Sequence, residues 1–311
     1  MENTSYYFTS NKNEKELDNI ISDPLFKKIV DYLSEHKNQE VILRQIKAAI
    51  PTDSNLELYL DKLIKYNLIE RKNRRYSLVF PVYSAEEKLL VPDSITDLLE
   101  NLIQATPPQI HYFIFGEWLW PLLFEEEQDS YFFGVQASSN TIPLFRKREE
   151  GNSTLQFVSI YQDEVIPLDL ANYFNLLSKR QKLPEHFKPL QAIIGDVDIN
   201  YFIAQVQKVI RSVKRNTSRV KKQNIFEQAL LTTKDLKRNP EGKLILTATQ
   251  LDDVTLSEEN KIMLDMLKTE LVLFGTTIEE RNQRIFLKMQ LYSTLFSICF
   301  PNQKNINYFK D

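Results

Sequence analysis

The chain of 311 residues contains one cysteine, three histidines and six glycines, and each scarcity removes a class of protein. A lone Cys299 excludes an intrachain disulfide and any zinc site built from several cysteines. It lies in the apolar stretch Leu295 to Phe300, where a small buried hydrophobe is the plain reading. So few glycines argue against glycine-rich phosphate loops and barrel-like all-β folds. His36, His111 and His186 stand far apart and match no ligand spacing of the His-Glu-x-x-His kind. A formal net charge of -3 gives no global pull toward nucleic acid or an anionic membrane, so such binding needs a local basic patch. Apolar runs are short: His111 to Phe124 is interrupted by Glu117 and Pro121, and Leu291 to Phe300 covers half a bilayer. The start, Met1-Glu2-Asn3-Thr4, lacks a basic residue followed by an apolar run. No secretory signal is expected, and the protein is read as cytoplasmic with no membrane partner.

What is present is the composition of a folded chain. Hydrophobic residues make up 42% and charged residues 26%, ordinary for a globular protein and unlike a disordered one. The expected fold is α+β and mainly helical, in two or three domains. Residues 1–22 form a polar segment, 23–83 a winged helix-turn-helix and 84–168 a middle region with a small antiparallel sheet. A helical C-terminal region fills 169–311.

The N-terminal module is read from local signals. Asp23-Pro24 opens a helix whose apolar residues Leu25, Phe26, Ile29, Val30 and Leu33 recur at helical spacing. Val41 to Leu43 suits a brief strand, and a second helix holds Ile46 and Ala49 before Pro51. Ser54 with Glu57 fits a capping box for a third helix carrying Leu56, Leu60, Leu63 and Ile64. Asn67 suits the left-handed residue that ends it. Two short strands around Lys72-Asn73-Arg74 then make a hairpin, completing the winged-helix order.

The closing pattern, Leu63-Ile64-Lys65-Tyr66-Asn67-Leu68-Ile69-Glu70 followed by Arg75-Tyr76-Ser77-Leu78, resembles bacterial winged helix-turn-helix regulators. More narrowly, Asp23-Pro24-Leu25-Phe26, Asp31-Tyr32-Leu33, Leu43 to Pro51 and Arg74 to Leu78 resemble an uncharacterised bacterial family of unknown function. That likeness covers the first quarter of the chain and implies no activity.

If the module meets double-stranded DNA, the third helix enters the major groove and the wing reaches phosphates. Asn55, Tyr59 and Lys62 are the candidates on the helix, Asn55 by its capacity to pair with adenine. Arg71, Lys72, Arg74 and Arg75 are the candidates on the wing, where dense positive charge suits backbone contact. Glu57 and Asp61 on the same helix would repel phosphate. The expected function is therefore a DNA-binding transcriptional regulator, with a protein-interaction scaffold as the alternative. No enzyme is expected, since no phosphate loop, nucleophile elbow or dinucleotide fingerprint is present, and no metal or cofactor is called for.

Beyond the module the sequence speaks less. Strands are expected at Tyr131–Gln136, Thr141–Lys147 and Thr154–Tyr161. Helices are expected at 91–103, 169–180, 185–194, 199–215, 224–237, 258–274 and 278–300. Lys208, Arg211, Lys214, Arg215, Arg219, Lys221 and Lys222 form a basic stretch read as a solvated helix end or an added phosphate contact. Glu125-Glu126-Glu127 with Asp129 is an acidic loop, and Asp196-Val197-Asp198 is read as a turn with a helix cap. Phe113, Phe115, Trp118, Trp120, Phe132 and Phe133 are read as the core of the middle domain. Helices 258–274 and 278–300 carry apolar residues around much of their circumference, which suggests a homodimer.

Overall fold

The computed structural model describes residues 4–9, 14–83, 90–125, 130–136, 143–215, 224–252 and 254–310. The chain is α+β and mainly helical, as its periodicity indicated. Among the described residues no helix is long and apolar enough to cross a membrane. Two compact units divide the chain, and neither is sequential. The first takes Met1–Leu90, Glu126–Ile142 and Gly275–Lys288; the second takes Val91–Glu125, Pro143–Phe274 and Met289–Asp311. The sequential boundaries expected at residues 84 and 169 do not appear in this division.

In the first unit, β1 (Thr4–Thr9) and α1 (Glu14–Ile21) precede α2 (Pro24–Glu35). Then come β2 (Val41–Ile42), α3 (Leu43–Ala49), α4 (Leu56–Lys65), β3 (Ile69–Lys72), β4 (Arg75–Leu78), β5 (Val82–Tyr83) and β6 (Tyr131–Gln136). Asp23 starts α2 by accepting a hydrogen bond from the Leu25 amide at 2.9 Å. The helical repeat buries Leu25, Phe26, Ile29, Val30 and Leu33 on one face. Each such side chain contributes roughly 1.5–3 kcal/mol when fully buried. Ile46 from α3 and Leu56, Leu60 and Leu63 from α4 close over them. The sheet β2-β4-β3 packs Val41, Ile69 and Tyr76 into the same core.

Residues 4–9 and 14–21, within the segment expected to be polar, form a strand and a helix. β1 runs antiparallel to β6, from Thr4 opposite Gln136 to Thr9 opposite Tyr131, and β5 flanks β6 in parallel. Tyr6, Leu17 and Ile20 join the core, and Tyr6, Phe26, Phe80 and Phe132 form one aromatic cluster, with Phe80 and Phe132 at 4.5 Å. The strand Tyr131–Gln136, expected in a middle sheet, thus belongs to the N-terminal unit. Likewise β5 occupies part of the stretch 81–92 expected as a linker; residues 84–89 lie outside the described residues.

The second unit contains α5 (Asp93–Ala105), α6 (Pro108–Phe113), a π-helical segment (Ile114–Leu119), α7 (Trp120–Phe124), β7 (Phe145–Asn152) and β8 (Leu155–Gln162). It continues with α8 (Leu170–Ser178), α9 (Lys188–Ile194), α10 (Ile199–Lys214), α11 (Ile225–Thr232), β9 (Leu236–Arg238), β10 (Leu244–Leu246) and β11 (Thr249–Leu251). The chain ends with α12 (Glu258–Thr276), α13 (Arg281–Cys299) and β12 (Asn305–Lys310). The C-terminal region is not purely helical: β12 lies between β8 and the parallel β11, in a sheet ordered β11-β12-β8-β7. The helix expected over 224–237 ends at Thr232, because Lys234 turns into the left-handed region at φ 64° and the chain continues as β9. The aromatic residues grouped in sequence are shared out. Phe115 packs against Tyr292, Phe296 and Phe300 in the second unit, while Phe132 and Phe133 lie in the first.

Candidate nucleic-acid interface

α3, α4 and the β3–β4 hairpin present one set of exposed side chains. Asn55 caps α4: its Oδ1 accepts from the Leu58 amide at 3.2 Å. The capping box expected from Ser54 and Glu57 is therefore not made. The helix starts one residue later, and Glu57 pairs with Lys47 of α3 at 2.5 Å, which holds its carboxyl below the usual range. At the other end Asn67 adopts φ 58°, and the Leu68 and Asn67 amides donate to the Leu63 and Ile64 carbonyls at 3.0 and 2.9 Å. This is a Schellman closure, and it aims the chain directly into β3.

The hairpin pairs Ile69 with Leu78 and Lys72 with Arg75. Its tip residues Asn73 and Arg74 both have positive φ, 50° and 66°. Two such residues make the turn whose twist matches paired strands. Arg71, Lys72, Arg74 and Arg75 are all exposed.

The expected site residues fare unequally. Arg74 stands at the tip. Arg71 lies over the Tyr76 ring at 5.5 Å. Lys72 pairs with Glu70 at 2.7 Å and Arg75 with Glu40 at 2.5 Å. Lys62 lies 3.9 Å from Glu16. Tyr59 is half-buried, and its hydroxyl donates to the Ile20 carbonyl at 3.0 Å; burial pushes its phenol above the ordinary range. A base-reading role for Tyr59 would require breaking that bond, and the reason was invisible locally: its partner lies on α1, 39 residues away. The outward face of α4 instead shows Glu57, Asp61 and Leu58, the last 67% exposed.

Other sequence signals resolve locally. His36 Nδ1 lies 2.8 Å from the Tyr32 carbonyl, His186 Nε2 2.8 Å from the Ile166 carbonyl, and His111 is buried beside the Ile103 and Thr106 carbonyls. Asp198 caps α10 through the Asn200 and Tyr201 amides. Burial pushes the Cys299 thiol up to about 12, away from thiolate chemistry. In the basic stretch, Lys214 pairs with Asp252 at 3.1 Å; Arg219, Lys221 and Lys222 lie outside the described residues, as do Glu126, Glu127 and Asp129 of the acidic loop.

Two buried polar clusters in the second unit had no sequence signal, because their members come from distant strands and helices. On the π-helical segment, Glu117 accepts from Tyr308 Oη at 2.5 Å and Lys310 Nζ at 2.6 Å, with Lys147 Nζ at 3.6 Å. Burial pushes its carboxyl up, but the Lys310 and Tyr308 donors and the Lys147 charge outweigh that and hold it low. Deeper, Ser159 and Asn307 face each other across β8 and β12. The Ser159 hydroxyl donates to Asp169 at 2.6 Å, and Asn307 Nδ2 donates to Asp235 at 3.0 Å. Burial pushes Asp169 up to about 6 and Asp235 up to about 7.

Residues 5–109 match the family described as Domain of unknown function (DUF1803). The match agrees with the resemblance of the first quarter to an uncharacterised family, and extends it to β1, α1 and α5. No curated protein and no solved structure matches the chain.

Proposed function

We propose that residues 23–83 form a winged helix whose wing holds the phosphates of double-stranded DNA, in a non-enzymatic transcriptional regulator acting in the cytoplasm. The observation that carries the reading is the hairpin: four exposed basic residues around a tight turn, on a sheet whose third strand leads into the helix pair. The carboxylates beside Lys72 and Arg75 are themselves exposed, and exposed pairs are worth about 0–1 kcal/mol, so phosphate can displace them. With Asn55 engaged as a cap and Tyr59 bonded inward, the affinity comes from the wing and carries little sequence preference.

Replacing Arg74 and Arg75 with glutamine should therefore weaken binding about equally on all DNA sequences. The salt slope should become shallower by roughly one unit per lost phosphate contact. Glu40→Gln, which frees Arg75, should strengthen binding. Titration of labelled duplex at several salt concentrations reads all three. Unchanged affinity and slope in the double variant would sink the wing's role.

A protein-interaction scaffold is the second reading, favoured by Leu58 standing exposed between Glu57 and Asp61 on α4. Absence of salt-dependent DNA binding by the full chain would promote it.

The reading includes a homodimer, since two tethered heads gain affinity and site selection. α13 is mostly buried, so it does not supply the interface. On α12, Ile262, Met266 and Leu273 are exposed at 59%, 51% and 57%, and fall on one face at heptad spacing. Light scattering should report a dimer at tens of micromolar, the concentration range of weak association, and Met266→Lys should shift it to monomer. A monomeric wild-type chain would remove the dimer.

A further inference from the structure

From Ile199 to Lys214, α10 carries no aspartate or glutamate. Its apolar repeat commits one face: Phe202, Ile203, Val206, Val209 and Ile210 are buried in the core of the second unit. That burial fixes which face meets solvent. At about 100° per residue, Tyr201, Ala204, Lys208, Arg211 and Arg215 fall within an arc of about 80°. All five are exposed, Tyr201 at 57%.

The cations of this stripe are not neutralised. Among the described residues, none of Lys208, Arg211 and Arg215 forms an ion pair; Lys208 Nζ instead meets Gln205 Oε1 at 3.4 Å. Asp198, at the start of the helix, accepts from the Asn200 and Tyr201 amides. Asp252 pairs with Lys214, which lies about 60° off the stripe. The wing differs, since Lys72 and Arg75 each have a carboxylate partner. Cations in the last turn of a helix complement its dipole, an effect that fades beyond that turn. It accounts for Arg211 and Arg215 at the C-terminal end, but Lys208 lies before that turn.

We infer that this stripe is a second contact surface for the phosphate backbone of double-stranded DNA, separate from the wing. Lys208 to Arg215 spans about 10 Å along the helix axis. Over that length one strand of a duplex presents about three phosphates, one for each cation. The two guanidinium groups can each grip a phosphate through paired donors. Phosphate contacts carry no sequence information directly, so the stripe adds affinity and not selection. A membrane surface fits less well, because the apolar face of α10 is already buried in the core and cannot enter lipid. The inference uses residues of the second unit alone, so it does not depend on the wing.

The test is titration of a labelled duplex of mixed sequence with the full chain at several salt concentrations. Replacing Lys208, Arg211 and Arg215 together with glutamine should weaken binding by at least about tenfold and make the salt slope shallower by about 2–3 units. These side chains are exposed and make no ion pair, so the exchange leaves packing intact, which circular dichroism checks. Arg211→Lys with Arg215→Lys, which keeps the charge, should retain most of the affinity. Replacing three exposed lysines on other elements, Lys182, Lys188 and Lys237, with glutamine removes the same charge and should change far less. Unchanged affinity and slope in the α10 variant would overturn the inference, whatever the wing variant does. A loss in the α10 variant beside an unaffected wing variant would uphold it while the wing reading fell. An equal loss in the control triple would overturn it by reducing the effect to net charge, and a full chain that binds no duplex would overturn both. Tighter binding to vesicles of phosphatidylcholine and phosphatidylserine than to duplex, lost in the same α10 variant, would overturn it in favour of a membrane.

Discussion

Replacing Gly116 with alanine is expected to destabilise the second unit by about 3–5 kcal/mol, the upper range for overpacking combined with a broken buried hydrogen bond. A Cβ at this position would lie 1.9 Å from Tyr308 Oη and 2.6 Å from Cζ. Neither partner can give way cheaply. Gly116 sits in the π-helical segment, where the wide turn brings backbone against the ring. Tyr308 is fully buried on β12, and its hydroxyl holds Glu117. Displacing the ring would strip a donor from a carboxylate that also anchors Lys310 at 2.6 Å. Urea unfolding followed by near-ultraviolet dichroism checks the magnitude. In a Tyr308→Leu background the same Gly116→Ala change should cost less than half as much, because the clash is with the ring itself. A cost below about 1 kcal/mol in the wild-type background, the low end for overpacking, would mean that the segment relaxes freely.

The second large effect is a pH dependence. Asp235 is buried and pushed up to about 7 by that burial, with the Asp169 charge adding and the Thr233 and Asn307 hydrogen bonds opposing. A carboxyl raised in the folded state favours folding while protonated. Its contribution is complete below the unfolded value near 3.9 and is lost as pH rises through the folded value. Between pH 4 and 7, about three units at 1.36 kcal/mol each give a loss on the order of 4 kcal/mol. Asp235→Asn should remove it. An amide can accept from Asn307 and donate to Thr233, whose hydroxyl turns to the Ala229 carbonyl 3.1 Å away. The variant should match wild type at pH 4 and exceed it by about 2–4 kcal/mol at pH 8, allowing for partial relaxation of a buried charge. The same stability gap at both pH values would show that Asp235 does not titrate in this range.

These two sites show why legibility was uneven. The helices of the N-terminal module were readable because their signals are local: the apolar repeat Leu25 to Leu33, the cap at Asp23, the left-handed Asn67 and the turn at Asn73-Arg74. The cap of α4 was misplaced by one residue because Ser54 and Asn55 are both competent, and only the extended backbone of Asn55, which keeps it outside the helix, decides between them. The sheet containing β1 was not readable at all. Its partner β6 follows more than a hundred residues later, and a six-residue strand shows little alternation by itself.

By itself the sequence determined where α2 begins, which faces α2 and α4 bury, that one hairpin is basic, and that no intrachain disulfide can form, since each depends on neighbours within a few residues or on composition. Only the tertiary structure decided which charges remain available. Glu70 and Glu40 flank Lys72 and Arg75 of the β3–β4 hairpin, Ile20 holds Tyr59, and Glu57 turns to Lys47. It alone also brought Asp169 and Asp235 to either side of the Ser159–Asn307 pair. Electrostatic neutralisation and desolvation depend on distances through space, and residues far apart in the chain acquire those distances when the sheets pair and the core closes.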